Sequence, residues 1–300
     1  MMNQNNNKNE WIAFAGLITA ALLWGVSYPL TKFVEDCPTF YIIAIRFAVA
    51  AAGLSVIFWK SYRNFNRDIL KYAFLLSFCV AAMFVFNILG VKYTTSVRAS
   101  FFTCLSFLIV PLINLFIFRV KFSRIIAVSA LICLVGMALL CYAPGIGGLV
   151  INLGDILCIG AAAAGSLHII FVERVSKKET IDPTLFTIFL MAFVAIWGII
   201  IALFRGDFAY SHTSGSQMLV IVLMGLLCSA AAFTLQSHFE AIVPANQVGV
   251  IFALEPASGC ILSVLLLKES MGITAWIGAF IIMASIFYME AANNRLQVKK

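Results

Sequence analysis

Long apolar runs separated by short polar connections dominate the chain from Trp11 almost to its last residue. A helix that crosses the hydrocarbon core of a bilayer needs about 20 such residues. With polar residues, Pro and Gly taken as boundaries, the pattern predicts ten spans. They lie at residues 11–33, 39–59, 71–91, 96–118, 124–142, 152–172, 184–204, 217–238, 243–267 and 271–291. The predicted fold is therefore an all-α integral membrane protein, surrounded by membrane lipid.

Composition supports this fold and excludes others. Hydrophobic residues make up 63% of the 300 positions and charged residues 11%, with a mean hydropathy of +1.03, which no water-soluble domain matches. The net charge of +7 comes from scattered Lys and Arg without a continuous basic stripe, so a nucleic-acid partner is not expected. The eight Cys lie almost all in apolar runs without zinc-type spacing, so we expect packing residues, no metal and no cofactor.

The basic residues also predict the sidedness of the chain. Fourteen of the 20 Lys and Arg fall on the side that holds both termini, five fall on the other side, and Arg46 lies inside a span. Because cytoplasmic connections carry the excess of basic residues, both termini are predicted to be cytoplasmic.

The two halves of the chain resemble each other faintly. Leu105-Ser106 is echoed by Leu254-Glu255, and Gly25 is echoed by Gly165. The predicted organisation is a polar tail (1–10), a first five-helix repeat (11–147), a second five-helix repeat (148–291) and a basic tail (292–300). Because five is odd, the second repeat would be inverted relative to the first, as in secondary transporters whose site lies where the halves meet.

Candidate binding residues lie in the first and sixth spans. Trp24, Ser27, Tyr28 and Thr31 share one helical face, which is either a cavity wall or a face whose hydroxyls bond their own backbone near Pro29. In the sixth span His168 follows a run of small residues. It either contacts substrate or carries a proton, or it is a buried histidine whose hydrogen bonds are satisfied by a neighbouring helix. Pro29, Pro111 and Pro256 stand inside spans, where each permits a kink.

Four further polar residues stand at intramembrane depth. Glu255 lies about 18 Å into the ninth span, where a carboxylate is costly, so it either couples transport to protons or bonds backbone freed by Pro256. Arg46 is expected to be structural, reaching the interface or pairing with Glu35 or Asp36. Asn87 and Gln236 are either interhelical bonds or substrate contacts.

The order of several short motifs resembles the drug/metabolite transporter superfamily, specifically its ten-span EamA-type branch of bacterial exporters. The residues that carry the likeness are Ala-Leu-Leu-Trp-Gly (21–25), Arg46-Phe47, Arg-Ala-Ser-Phe-Phe-Thr-Cys-Leu-Ser (98–106), Leu-Glu-Pro (254–256) and Leu-Lys-Glu (267–269). The likeness implies a multi-pass carrier in the bacterial plasma membrane. It also implies a central cavity among spans 1, 3, 4, 6, 8 and 9, which adds Ser100 and Thr103 to the substrate-binding candidates.

Members of that branch export amino acids, related metabolites or toxic compounds by alternating access. This sequence departs from the pattern at Gly165 and His168, where aromatic residues are usual, and at Lys268, where Gly is usual. A membrane enzyme would need a clustered catalytic set, and His168, His212 and His238 are dispersed. A channel would need a pore filter, and no repeated filter motif is present. The substrate, direction of flux, coupling ion and oligomeric state do not follow from the sequence.

Overall fold

The chain folds into helices throughout the part that the computed structural model describes, which is residues 2–34, 36–94, 99, 102–120, 123–141, 151–209, 213–267 and 272–298. No β-strand occurs in those ranges. The first half contains α1 (Met2–Lys32), α2 (Thr39–Ile57), α3 (Arg67–Tyr93), α4 (Ser106–Phe116) and α5 (Arg124–Cys141). The second half contains α6 (Leu153–Ser176), α7 (Pro183–Arg205), α8 (Gly215–Leu223), α9 (Ala232–Phe239), α10 (Ala245–Phe252), α11 (Leu254–Leu267) and α12 (Ile273–Val298). A π-helical stretch, Met224–Ala231, joins α8 to α9.

Six of these helical segments are long and apolar enough to cross a membrane. They are Glu10–Thr31, Thr39–Ile57, Arg67–Gly90, Leu153–Ser176, Pro183–Arg205 and Gly215–Phe239. Three of the other predicted spans are represented by shorter apolar helices, Phe102–Phe116, Arg124–Leu139 and Trp276–Met289. Large apolar side chains such as Phe204, Phe116 and Phe280 are 70% exposed or more, as lipid-facing side chains are. The all-helical membrane fold is thereby confirmed.

The predicted ninth span is broken rather than continuous. Helix α10 ends at Phe252, Ala253 forms a turn, and α11 starts at Leu254. The cause is Pro256, which lacks an N–H and whose ring would clash with the carbonyl of Phe252 in a continuous helix. A backbone N–H at the third position of α11 would have no partner within the helix, so its absence in Pro256 costs no hydrogen bond. Pro29 and Pro111 lie inside α1 and α4, which continue past them.

Capping residues determine where α6 begins and where α7 begins and ends. Asn152 caps α6 in a capping box with Asp155, and Thr94 at the end of α3 donates to the same carboxylate over 2.8 Å. Asp182 caps the N-terminus of α7, and its Oδ1 accepts from two backbone N–H groups. Gly206, with φ 72°, caps the C-terminus. Such caps satisfy backbone groups that lipid could not.

Helices of the first half pack on helices of the second half, and exchanging the two halves gives the same set of pairs. Helix α1 packs on α11 and α9, while its counterpart α6 packs on α4 and α3. The pairs α2–α7 and α5–α12 each join equivalent helices of the two halves. Two similar halves would produce this pattern.

The buried side chains form two main clusters, one built mostly on α1, α4, α5 and α10–α12, the other on α2, α3, α6 and α7. Trp24 packs against both clusters. The region around Trp24 is therefore where the two parts of the core meet.

Candidate functional site

Arg46 is the centre of the polar contacts at the junction of the two halves. It stands in the eighth position of α2 and is only 5% exposed. Its Nε donates to Ser229 Oγ over 2.7 Å and its Nη1 donates to Ser27 Oγ over 3.1 Å, while Nη2 lies 3.5 Å from the Cys228 carbonyl. The guanidinium also lies 5.1 Å from the ring centre of Phe84. One cation thus connects α1, α2, α3 and the π-helical stretch.

These contacts differ from the interpretation of Arg46 that the sequence favoured. The side chain is buried and donates to the hydroxyls of Ser229 and Ser27. Asp36 is exposed and Glu35 lies outside the described residues. Ser27 consequently serves as a partner of Arg46, whereas Thr31 bonds its own helix through the Ser27 carbonyl over 2.7 Å.

The π-helical stretch supplies two of the three partners of Arg46. A π turn has one more residue than an α turn, and single π turns recur at functional sites. Gly225 allows the stretch to approach α2, since a Cβ at that position would lie 2.6 Å from the Arg46 carbonyl oxygen. The close approach places Ser229 and the Cys228 carbonyl within reach of the guanidinium.

A cluster of aromatic rings lies next to Arg46, and we call it the aromatic cluster. The Trp24 ring packs edge to face on Phe233 and Phe252, with centroid distances of 5.3 and 4.8 Å. Phe47 contacts Phe84 at 4.9 Å and Phe233 at 6.4 Å. Since the rings come from α1, α2, α3, α9 and α10, the cluster links both halves of the chain.

Two buried nitrogens on rings that contact Phe233 have no hydrogen-bond partner among the described residues. They are Nε1 of Trp24 and Nε2 of His168. The His168 ring is 3% exposed and lies 5.6 Å from the Phe233 ring centre. A buried unpaired nitrogen costs free energy. Since both rings contact Phe233, a polar ligand that reached either nitrogen there would supply a missing hydrogen-bond partner.

Asn87 and Gln236 each stand one helical turn beyond a ring of the aromatic cluster and have hydrogen-bond partners of their own. Asn87 donates to Thr103 over 2.9 Å near the end of α3, and Gln236 donates to Glu240 over 2.7 Å near the end of α9. Tyr28 is in α1, but its side chain and the whole of Ser100 lie outside the described residues. The described contacts link Trp24 and His168 through Phe233 and link Ser27 to Arg46; that Asn87, Thr103 and Gln236 line the same pocket stays a prediction.

Glu255 occupies the second position of α11, next to the break at Ala253, and is partly exposed. It is close enough to Arg46 to interact with it electrostatically. A cation and a carboxylate therefore face the same central region, Arg46 from the first half and Glu255 from the second.

A repeated segment of the sequence could have revealed Phe84 and Phe233. Cys-x-Ala-Ala-x-Phe-x-x-Asn at 79–87 recurs as Cys-x-Ala-Ala-x-Phe-x-x-Gln at 228–236. Phe84 and Phe233 take equivalent places in the two segments and both contact Phe47. The sequence alone does not predict the contact of Phe252 with Trp24, because it depends on the break in the ninth span.

The fold and this buried polar centre define a multi-pass membrane protein whose two halves meet around a charged site. The sequence profile of the EamA-like transporter family matches the chain twice, at residues 11–142 and 152–290. The chain therefore belongs to the EamA-like transporter family, which confirms the resemblance noted in the sequence.

Relatives of similar length have the same general description. The chain is 24% identical over 282 residues to an uncharacterized transporter of Archaeoglobus fulgidus, covering 92% of this chain and 84% of that protein. It is 25% identical over 293 residues to the uncharacterized transporter YetK of Bacillus subtilis, covering 93% and 87%. A solved crystal structure, described only as that of a protein, superposes with a TM-score of 0.79 at 18% identity, covering 95% of this chain and 98% of the other. That likeness shows the fold alone.

Proposed function

We propose that the protein is a secondary transporter that exports small metabolites such as amino acids or related carboxylates. In this proposal the two halves are inverted repeats, and the centre around Arg46 opens alternately to each side of a bacterial plasma membrane. Membership of a transporter family and a buried cation at the junction of the halves support it.

The observation that carries the proposal is the set of partners around Arg46. A guanidinium has five N–H donors and pairs with carboxylates in a bidentate geometry. Here three of its nitrogens contact two serine hydroxyls and a carbonyl, which are neutral acceptors. A substrate carboxylate would replace the hydroxyls with a stronger, charge-assisted contact, while the aromatic cluster would hold the apolar part of the substrate.

The rival function is efflux of hydrophobic or toxic compounds, and the aromatic cluster favours it. Such compounds would bind through the rings and would gain nothing from Arg46, which a cationic drug would avoid. The two functions therefore differ in whether binding needs a carboxylate.

Ligand-dependent melting of the purified protein tests this difference. Amino acids and small carboxylates are compared with the corresponding amides, and cationic aromatic compounds form a third group. A ligand that binds the folded state raises the melting temperature as its concentration increases. We expect carboxylates to raise it and their amides to have little effect. A response to cationic aromatic compounds alone would support drug efflux instead.

Replacing Trp24 with Phe should lower transport about fivefold, the equivalent of one hydrogen bond of about 1 kcal/mol. The substitution preserves the contacts with Phe233 and Phe252 but deletes the Nε1–H group, which has no partner among the described residues. Initial uptake rates at matched protein amounts measure the effect. Trp197→Phe, which deletes an indole N–H that bonds Ser77 outside the aromatic cluster, is the control and should leave uptake unchanged. Unchanged uptake by the Trp24→Phe protein would remove Trp24 from the binding site.

Both termini are expected to face the cytoplasm, because the basic residues concentrate on their side. Single cysteines at Asn9 and Gln297 should resist a membrane-impermeant thiol reagent in intact cells, whereas cysteines at Gly147 and Ser214 should react. All four are introduced after the native cysteines have been replaced. External labelling at position 297 would contradict the proposed topology.

A further inference from the structure

Glu240 is a buried carboxyl with one oxygen that has no hydrogen-bond partner among the described residues. It follows α9 directly, just beyond the candidate span Gly215–Phe239, and is 0% exposed. Its Oε1 accepts a hydrogen bond from Gln236 Nε2. Its Oε2 is buried without a hydrogen-bond partner, and so is Oε1 of the same Gln236. Two buried acceptor oxygens therefore lie together at one end of α9 without donors from the described residues.

The surroundings of Glu240 favour its neutral form. Burial raises the pKa of the Glu240 carboxyl well above its ordinary value, the hydrogen bond from Gln236 lowers it, and the nearby Glu173 carboxylate raises it further. The C-terminal end of a helix also disfavours negative charge. Among the described residues of the helices packed on α9, the charged group that interacts with Glu240 is Glu173 of α6, which pairs with Lys177. The described contacts of α1 and α7 with α9 include Gly16 and Thr187, which carry no charge.

Solvent reaches the end of α9 at His238. An open depression of about 480 Å³ is lined by Asn64, Glu179, Asp182 and His238, among others. His238 stands two residues before Glu240 and is exposed. Because residues two positions apart point to different sides of a helix, the Glu240 carboxyl does not line this depression, and a proton from the solution reaches it only when the end of α9 moves.

Glu240 is also connected to the central site through a rigid helix. Phe233, Gln236 and Glu240 stand at i, i+3 and i+7, so they lie on one face of α9. Phe233 is the ring that contacts both Trp24 and His168. A charge change at Glu240 would alter how α9 packs and hence where Phe233 lies.

Resting on the proposed transport function, we infer that the Glu240 carboxyl, with Gln236 beside it, binds and releases the proton that couples substrate movement to a pH gradient. Binding places a proton on a lone pair of Oε2 and leaves a neutral carboxyl that tolerates burial. Release to water leaves a carboxylate, which draws the end of α9 toward solvent. The position is distinct from Glu255, which interacts with Arg46 and lies on a different helix.

A proton suits this site better than a metal cation. One proton satisfies one orphan oxygen, whereas hard cations need a shell of about six oxygens. In the described ranges no group of three or more His, Cys, Asp or Glu side chains could hold a metal ion.

Carbodiimide labelling of the wild-type protein tests proton binding directly. Dicyclohexylcarbodiimide reacts with protonated carboxyls in apolar surroundings, and mass spectrometry locates the product. We expect modification at Glu240 that declines as the pH rises past the raised pKa. Glu240→Gln is the control that removes the label. Absent or pH-independent labelling of Glu240 would overturn the inference.

Transport measurements test the coupling role. In proteoliposomes, Glu240→Gln should retain counterflow, which needs no net proton movement, but the ratio of uptake with and without a pH gradient should fall to unity. Glu240→Asp, which keeps an ionisable group, should regain part of the stimulation, and Asp207→Asn, which alters an acidic residue beyond the C-terminal end of α7, should keep it. Normal pH stimulation of Glu240→Gln, or stimulation of the wild type by sodium instead of pH, would refute the coupling role. If the wild type shows no counterflow with any metabolite, the proposed function fails, while the labelling still decides whether Glu240 binds a proton.

Discussion

Replacing Arg46 with Met is expected to reduce substrate exchange at least about tenfold without lowering the melting temperature. The loss follows because charge-assisted hydrogen bonds contribute about 1.5–3 kcal/mol, and each 1.4 kcal/mol is roughly a factor of ten in binding. Stability is retained because an apolar side chain of similar length avoids the desolvation of a buried cation, and Glu255, which loses its attraction to that cation, is partly exposed to solvent. Ser27 and Ser229 can bond their own helices once the guanidinium is absent. The first effect is measured as exchange of labelled substrate by the purified protein in proteoliposomes. The second is measured as thermal unfolding of the purified protein.

Two further variants separate charge from geometry at this position. Arg46→Lys keeps the cation but loses the planar fork, so we expect intermediate transport. Ser229→Ala removes the 2.7 Å partner of Nε but leaves the charge, and should reduce transport less than Arg46→Met does. If Arg46 is purely structural, Arg46→Met will instead lower the melting temperature. Transport will then fall only in proportion to the loss of folded protein.

Gly225→Ala is expected to destabilise the protein by about 1–3 kcal/mol, the usual cost of overpacking, and to impair transport as well. A Cβ at Gly225 would lie 2.6 Å from the Arg46 carbonyl oxygen and 3.2 Å from Val49 Cβ. A backbone oxygen cannot move aside as a side chain can, so the π-helical stretch must shift away from α2. The hydrogen bond from Arg46 to Ser229 would then lengthen, which is why both stability and transport fall.

Gly160→Ala is the matched control, because Gly160 also lies within a long helix. Its added Cβ would meet only the Phe86 ring, at 3.4 Å, and the substitution favours helix formation. We expect the Gly160→Ala protein to melt at or above the wild-type temperature. Equal behaviour of the two Ala variants would show that the close approach at Gly225 is unimportant.

Much of the fold could be predicted from hydrophobic pattern alone, because lipid requires long apolar helices with satisfied backbones. Each of the ten predicted ranges contains helix, and six of the helical segments are long enough to span a membrane. The break at Ala253 was missed because a proline inside an apolar run signals a kink or a new start equally well. Its consequence is local, since it places Phe252 against Trp24.

The candidate site was harder to predict, because it depends on which faces meet. Trp24 and His168 were found as polar groups at intramembrane depth. The partners of Arg46 were missed because Ser229 lies 183 residues away in the chain and belongs to a π-helical stretch without a sequence signature. Glu240 was missed because it stands at a helix end, where a carboxylate is usually solvated. Only packing reveals that it is buried.

The most direct test of carriage is counterflow in proteoliposomes that contain the purified protein. Vesicles are loaded with an excess of unlabelled carboxylate metabolite and diluted into a trace of the labelled compound. A carrier whose site opens alternately to the two sides will accumulate the label transiently above its external concentration. Our account predicts such an overshoot, saturable with external substrate and at least about tenfold smaller with Arg46→Met. Non-saturable flux without an overshoot, equal for the wild type and Arg46→Met, would contradict it.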